Sequence, residues 1–272
     1  MSVDNHTNKK MRAVILCGGQ GTRLREISEI LPKPMITIGN RPILWHIMKL
    51  FASQGVSDFI LCLGYKGWLI KEFFLNYNMM TSDFTIQLGN NQKPTFHERN
   101  DENGWNITLA DTGEKTMTGG RLVKIRQYLE GTDHFFLTYG DGVANVDLKN
   151  LLHTHINSGK VGTITAVKVA ERFGEVHIDN GRVVEFNEKP AVSNNRVNGG
   201  FMVFDSKRVW DYFDSDSDNI VLEEKPLREM VKNKQLGVYN HDGFWQCMDT
   251  PREYNLLNSI WENGNAAWKI WG

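Results

Sequence analysis

Residues 11–34 read MRAVILCGGQGTRLREISEILPKP: an apolar run, Arg12–Cys17, stops abruptly at Gly18-Gly19-Gln20-Gly21-Thr22-Arg23. A short Val/Ile/Leu run ended by glycine is the pattern of a strand buried on both faces. Glycines directly after such a strand let the backbone approach something large, and their amides can face an anion without interference from a Cβ. Arg23 adds a fixed positive charge, and Lys33, held between Pro32 and Pro34, adds a second. Strand, amide cradle, arginine and lysine together suit a triphosphate. Two other phosphate loops do not fit. The spacing Gly-x-x-x-x-Gly-Lys-Ser/Thr is absent, and Leu24 stands where Gly-x-Gly-x-x-Gly requires its third glycine. The next apolar strand, Asp58–Leu63, ends in Gly64-Tyr65 and not in the acidic residue that a dinucleotide ribose would need.

The 272 residues allow one large domain or two small ones, and 40% hydrophobic with 23% charged residues is an ordinary globular composition. A net charge of −1 and the lack of any basic run beyond Lys9-Lys10 argue against a nucleic-acid partner. The apolar runs are far too short for a membrane span or a signal-peptide core. Cys17, Cys62 and Cys247 are odd in number and lack metal-ligand spacing, which predicts reduced thiols and a cytoplasmic protein. Residues 1–10 read as a loose tail and 11–272 as a single domain.

Beyond the opening loop, Pro42 starts a helix, Ile43–Ser53, with Ile43, Ile47, Leu50 and Phe51 on one face. His46 within it is assigned no chemistry. A strand over 59–63 and a helix over 68–77 continue a β-α-β-α order, which implies right-handed crossovers and a parallel sheet. Residues 78–106 are polar and break the rhythm; a lid, a subunit contact and a plain surface excursion all fit a stretch of that length. A strand over 105–111 leads to a glycine-flanked helix start, Thr118-Gly119-Gly120-Arg121, with Thr118 as a possible cap.

The strand over 135–138 ends in Tyr139-Gly140-Asp141-Gly142, which puts a carboxylate at the strand's carboxyl end. Asp-Gly is a common turn pair. Mg²⁺, however, takes one or two carboxylates plus substrate phosphates, and beside a triphosphate loop Asp141 reads as a metal ligand. A helix over 148–158 and a strand over 162–169 follow, then a hairpin turning at Asn180-Gly181. Glu188 and Lys189, and later Asn198 beside Gly199, suit a sugar phosphate, with carboxylate and amide for hydroxyls and lysine for phosphate, and fit a plain charged loop equally well. Helices are expected over 207–213 and 221–232, with the acidic run 214–218 on the surface. Asp249 precedes a final helix from about Pro251 and reads either as a cap or as a second metal carboxylate. The apolar tail, Ala266-Ala267-Trp268-Lys269-Ile270-Trp271, should pack on the body or on another subunit.

Gly-Gly-x-Gly-Thr-Arg, Leu-Pro-Lys-Pro-Met, Gly-Tyr-Lys-Gly, Thr-Gly-Gly-Arg, Tyr-Gly-Asp-Gly-Val, Glu-Lys-Pro, Asn-Gly-Gly-Phe and Phe-Trp-x-x-Met-Asp-Thr together resemble the sugar-phosphate nucleotidyltransferases. The full set is similar to the glucose-1-phosphate cytidylyltransferase branch of that superfamily. The resemblance implies an α/β fold: a Rossmann-like mixed, mostly parallel sheet flanked by helices, with a small β-hairpin subregion on the sugar side. It implies transfer of a cytidylyl group from CTP to α-D-glucose 1-phosphate, giving CDP-glucose and pyrophosphate, with Mg²⁺, for bacterial surface polysaccharide. Leu16, Cys17, Gly18, Gly19, Gln20, Gly21, Thr22 and Arg23 would hold the nucleotide, joined by Lys33, Thr116, Arg121 and Gly140. Arg23 and Lys33 would be catalytic, Asp141 and Asp249 would hold Mg²⁺, and Glu188, Lys189, Asn198 and Gly199 would bind the sugar phosphate. Two departures stand out: Leu31 replaces the lysine of a first Lys-Pro pair, and Val169-Ala170-Glu171-Arg172 stands where the usual Pro-Pro-Gly precedes Arg-Phe-Gly, in the segment leading to the sugar side. Another nucleotide or sugar phosphate, or a non-catalytic nucleotide sensor, remains open. The tail and the 78–106 excursion point to a homo-oligomer.

Overall fold

Alternate residues of the Arg12–Cys17 run serve two different cores. Ala13, Ile15 and Cys17 join one buried cluster, while Val14 and Leu16 join another on the opposite face of the sheet. This is why the run is continuously apolar and not alternating. The computed structural model describes residues 11–19, 21, 30–89, 93–97, 101–169, 175–187, 196–214 and 218–272. The tail reading for 1–10 lies outside them.

The chain runs β1 (Arg12–Cys17), β2 (Thr37–Ile38), β3 (Arg41–Pro42), α1 (Ile43–Ser53), β4 (Asp58–Leu63), α2 (Gly67–Leu75), α3 (Tyr77–Thr81), β5 (Phe84–Thr85), β6 (Thr95–Phe96) and β7 (Asn106–Asp111). It continues α4 (Thr118–Ile125), β8 (His134–Tyr139), β9 (Gly142–Ala144), α5 (Leu148–Ser158), β10 (Gly162–Lys168), β11 (Glu175–Asp179), β12 (Arg182–Asn187) and β13 (Arg196–Asp205). It closes with α6 (Lys225–Lys232), β14 (Leu236–His241), β15 (Trp245–Cys247) and α7 (Pro251–Glu262). Seven strands form the main sheet in the order β14-β10-β13-β8-β1-β4-β7. Every neighbouring pair is parallel except the two made by β13, so the sheet is mixed and mostly parallel. From β1 the chain first moves outward through β4 and β7, then returns to β8 on the other side. That reversal leaves a crevice at the carboxyl ends of β1 and β8, where open α/β sheets bind ligands.

Buried residues of α1, α2, α5 and α7 cover one face and those of α4 and α6 the other. Several elements differ from the sequence expectation. The helix expected over 221–232 begins only at Lys225, because Pro226 suits a first turn and the Leu222 amide is held by Thr118 Oγ1 at 2.9 Å. Thr118 therefore does not cap its own helix, whose N-cap is Met117. The segment over 207–213 is a 3-10 turn, Arg208–Tyr212. The 78–106 excursion holds the end of α3 and the two-stranded β5–β6 ribbon, with Phe84, Ile86, Leu88 and Phe96 exposed.

The aromatic tail docks on the body. Trp268 is 0% exposed, and its indole Nε1 donates to His46 Nδ1 at 3.4 Å. That leaves His46 Nε2 as the donor to the Ile38 carbonyl at 3.0 Å. Trp261 packs edge-on against the same ring, 4.7 Å away. Burial pushes the His46 imidazole down from 6.5 to about 4, and His155, sandwiched between Thr163 and His134, is also pushed down to about 4. Both rings are neutral when folded and take up a proton more readily when unfolded. Their stabilisation is therefore complete above pH 6.5 and is lost as pH falls from there toward 4, by up to about 3 kcal/mol per ring. Urea unfolding across that window should show the loss. His46→Gln, which keeps an acceptor and a donor but does not titrate, should flatten the slope.

Candidate active site

Lys33 opens a 3-10 turn, Lys33–Met35, between two prolines; Pro32 sits at φ −65° and its carbonyl accepts the Met35 amide at 2.8 Å. The backbone at Lys33 is therefore fixed, and only the four-carbon stem can move. Its Nζ donates to Asp141 Oδ2 at 2.6 Å and also to Asp249 Oδ1. Burial pulls the ammonium's pKa down, but Asp141 and Asp249 outweigh it and hold the group above its usual value. Lys33 is thus a permanent positive charge and not a proton acceptor.

Two pairings bring the carboxylates together from distant parts of the chain. β15 lies antiparallel to β9 with Cys247 opposite Gly142, and the Met248 amide extends the ladder to the Asp141 carbonyl at 2.8 Å. Asp249 then sits just before α7. Thr250, not Asp249, is the N-cap, in a capping box with Glu253. The Glu253 carboxylate also accepts the Asp249 amide at 2.7 Å, which fixes the backbone from which the Asp249 side chain reaches Lys33. The two carboxylates are about one-third exposed, at 33% and 30%. Two partly open oxygen donors that already converge on one cation fit Mg²⁺, whose remaining positions are usually filled by phosphate and water.

A cleft of about 600 Å³ opens beside this cluster, lined by Leu16, Cys17, Gly18, Gly19, Lys33, Thr116, Arg121, Gly140 and Asp141 among others. It lies at the β1/β8 crevice, where the Gly140 amide donates to the Leu16 carbonyl at 3.0 Å. Asn198 and Gly199 lie on β13 and not in the cleft lining; the Gly199 carbonyl accepts Trp245 Nε1 at 2.7 Å, and the Asn198 side chain accepts the Gly200 amide at 3.0 Å. Tyr139 links the two areas, since it lines the cleft and its ring covers Gly200 at φ +80°. Gly21 is described but does not line the cleft. Gln20, Thr22, Arg23, Glu188 and Lys189 lie outside the described residues.

Arg121 behaves differently from the reading that placed it on a nucleotide. Its guanidinium turns inward. Nη1 donates to the Leu63 carbonyl at 2.9 Å, Thr112 Oγ1 at 2.7 Å and the Gly113 carbonyl at 2.9 Å, and Nη2 donates to the Gly18 carbonyl at 3.0 Å. One side chain thus joins the ends of β1, β4 and β7. A Cβ on Gly18 would overlap the guanidinium, and one on Gly64 would lie 2.5 Å from Nη1. Gly18 is therefore glycine for the sake of Arg121. Gly19, which also lines the cleft, has nothing within 4 Å of its Cβ position, so its open side faces the cleft.

The sequence reading missed a Tyr139–Glu223–Thr118 cluster on the cleft wall. The Tyr139 hydroxyl donates to Glu223 Oε1, and Thr118 Oγ1 donates to Glu223 Oε2 at 2.8 Å. Burial, then the Glu223 charge, raises the phenol's pKa and keeps it protonated. Glu223 stands in a Glu-Glu-Lys run that reads as a solvated helix face, so nothing in the sequence marked it.

The model of the nucleotidyl transferase family matches residues 12–258, and the chain belongs to that family. Among named relatives, it is 45% identical to the glucose-1-phosphate cytidylyltransferase of Salmonella typhi, over 96% of this chain and 100% of that protein. It is 40% identical to the probable glucose-1-phosphate cytidylyltransferase of Bacillus subtilis (strain 168), with the same coverage. Identity to the mannose-1-phosphate guanyltransferase of Schizosaccharomyces pombe is 31%, over 90% of this chain and 62% of that one. The solved structure of HddC from Yersinia pseudotuberculosis superposes with a TM-score of 0.65 at 23% identity, covering 92% of this chain and 99% of its own, which is a likeness of fold.

Proposed function

We propose that this chain transfers the cytidylyl group of CTP to α-D-glucose 1-phosphate, forming CDP-glucose and pyrophosphate for bacterial surface-polysaccharide sugars. Full-length identity to proteins of that name supports the choice of substrates. The observation that carries the chemistry is the convergence of Lys33, Asp141 and Asp249 beside the open Gly19 face of the cleft. The sugar phosphate is already a nucleophile, so in-line attack on the α-phosphorus needs no serine or histidine nucleophile. The chain has to bring two polyanions together and offset their charge, which is positioning plus electrostatics. Lys33 supplies a fixed charge on the cleft wall, and Gly18, Gly19 and Gly140 let the nucleotide lie close to the strand ends. Thr116 and Arg121 shape the nucleotide side of the cleft. Asp141 and Asp249 would hold Mg²⁺, which when bound would neutralise phosphate charge as pyrophosphate leaves. Arg23 joins this charge set, and Glu188, Lys189, Asn198 and Gly199 serve the sugar phosphate.

The exposed apolar ribbon β5–β6 supports a homo-oligomer more directly than the tail does, since the tail's Trp268 is buried in its own body. Among the described residues no helix is long and apolar enough to cross a membrane. With reduced thiols, this favours a cytoplasmic enzyme, built as a single domain from Met11 onward.

A matrix of nucleoside triphosphates against sugar 1-phosphates, read by pyrophosphate release, tests the proposal. CTP with glucose 1-phosphate should give the highest kcat/KM, and a different leading pair would replace the substrate assignment. Asp141→Asn and Asp249→Asn should each remove the Mg²⁺ dependence of turnover, with losses of about a hundredfold or more. A variant that keeps the wild-type Mg²⁺ response would strike that aspartate from the ligand set.

A further inference from the structure

The Lys33 ammonium occupies the point on which both carboxylates converge, and its hydrogen bonds among the described residues go to those two groups. Asp141 and Asp249 come from segments 108 and 216 residues beyond Lys33, and without a cation between them they would repel. A divalent cation and an ammonium cannot share that point, because the like charges oppose each other. The Pro-Lys-Pro backbone is fixed, so only the flexible stem can yield, and Lys33 and Asp141 both line the cleft. We propose that Lys33 is the resident counter-ion of the metal site: it keeps the two carboxylates converged, and the entering divalent cation displaces its ammonium into the cleft, where the phosphates lie. This rests on the reading of Asp141 and Asp249 as metal ligands. A single exchange then both fills the site and delivers the lysine's charge to the substrate.

The test is a Mn²⁺ titration of the full chain without nucleotide, following free Mn²⁺ by electron paramagnetic resonance. Lys33→Ala should bind Mn²⁺ about tenfold more tightly than wild type, although it lacks a residue placed in the catalytic set. Lys115→Ala removes another cleft-lining cation and should change affinity less than about twofold. An equal or weaker affinity in Lys33→Ala, or an equal gain in Lys115→Ala, would overturn the proposal. A second measurement uses the wild-type chain: competitive acetylation of the Lys33 amine, read by mass spectrometry, should rise severalfold when Mg²⁺ is added. Unchanged or reduced labelling counts against displacement. Asp141→Asn separates the two levels. If it leaves Mn²⁺ affinity untouched, the ligand assignment fails and takes the proposal with it. If it abolishes binding while Lys33→Ala does not tighten it, displacement alone fails.

Discussion

Lys33→Ala should lower kcat for pyrophosphate release by about a hundred- to a thousandfold, the loss typical of removing one preorganised charge or donor at a reacting centre. The side chain is 12% exposed, permanently charged and anchored by prolines, so no neighbouring group can take over its position. Lys33→Arg should recover little, because the longer, planar guanidinium cannot place its charge where the compact ammonium of Lys33 places its own. The fold should survive. The aspartates are about one-third exposed, and water can screen them, so the expected stability loss is about 1 kcal/mol. Steady-state pyrophosphate release measured beside a thermal melt separates the effects. Near-normal turnover in a folded Lys33→Ala protein would remove Lys33 from the chemistry.

The largest stability effect should come from Arg121→Ala, at about 3–5 kcal/mol. Removing this guanidinium deletes its charge-assisted hydrogen bonds at the place where three strands end: the Gly113 carbonyl and the Thr112 hydroxyl oxygen lose their donor, while the Leu63 carbonyl keeps Thr112 and the Gly18 carbonyl keeps the Tyr65 amide. Arg121→Lys should not restore the loss, since three donors on one nitrogen cannot reach acceptors spread across β1, β4 and β7. Gly18→Ala, which pushes a Cβ into the same guanidinium, should reproduce part of the effect from the other side of the contact. Urea unfolding gives the values, and protection of each variant by CTP shows whether the cleft keeps its shape. A wild-type midpoint for Arg121→Ala would mean that those acceptors are satisfied by water and that the arginine holds nothing together.

The centre of the sheet was legible because β1, β4 and β8 are short and carry near-continuous apolar runs, a pattern that two-sided burial requires. Asp141 could be singled out only because a triphosphate loop shares its sheet edge; alone, an Asp-Gly pair reads as a turn. Asp249 was ambiguous for a definite reason. An aspartate two residues before a helix resembles a cap, and the deciding hydrogen bonds belong to Thr250 and Glu253. The direction of Arg121 was not legible at all. An arginine beside glycines suits a phosphate as well as it suits carbonyl oxygens, and the choice depends on three strand ends far apart in sequence. The β5–β6 ribbon escaped notice because two-residue strands are too short to show alternation, and Glu223 because its charged neighbours resemble solvated surface.

The β9–β15 ladder also carries a consequence for synthesis. A chain that has emerged only as far as β14 already contains every strand of the main sheet and most of both apolar clusters. It still has only one of the two carboxylates, because Asp249 arrives with the β15 segment and is set by the cap of α7. Such an intermediate would expose the cleft and its glycines to cellular nucleotide with Lys33 opposite a single aspartate. On the metal role proposed for Asp249, the two-carboxylate site is complete only when the last strand closes on β9, and metal-dependent activity would report on completed folding as well as on chemistry.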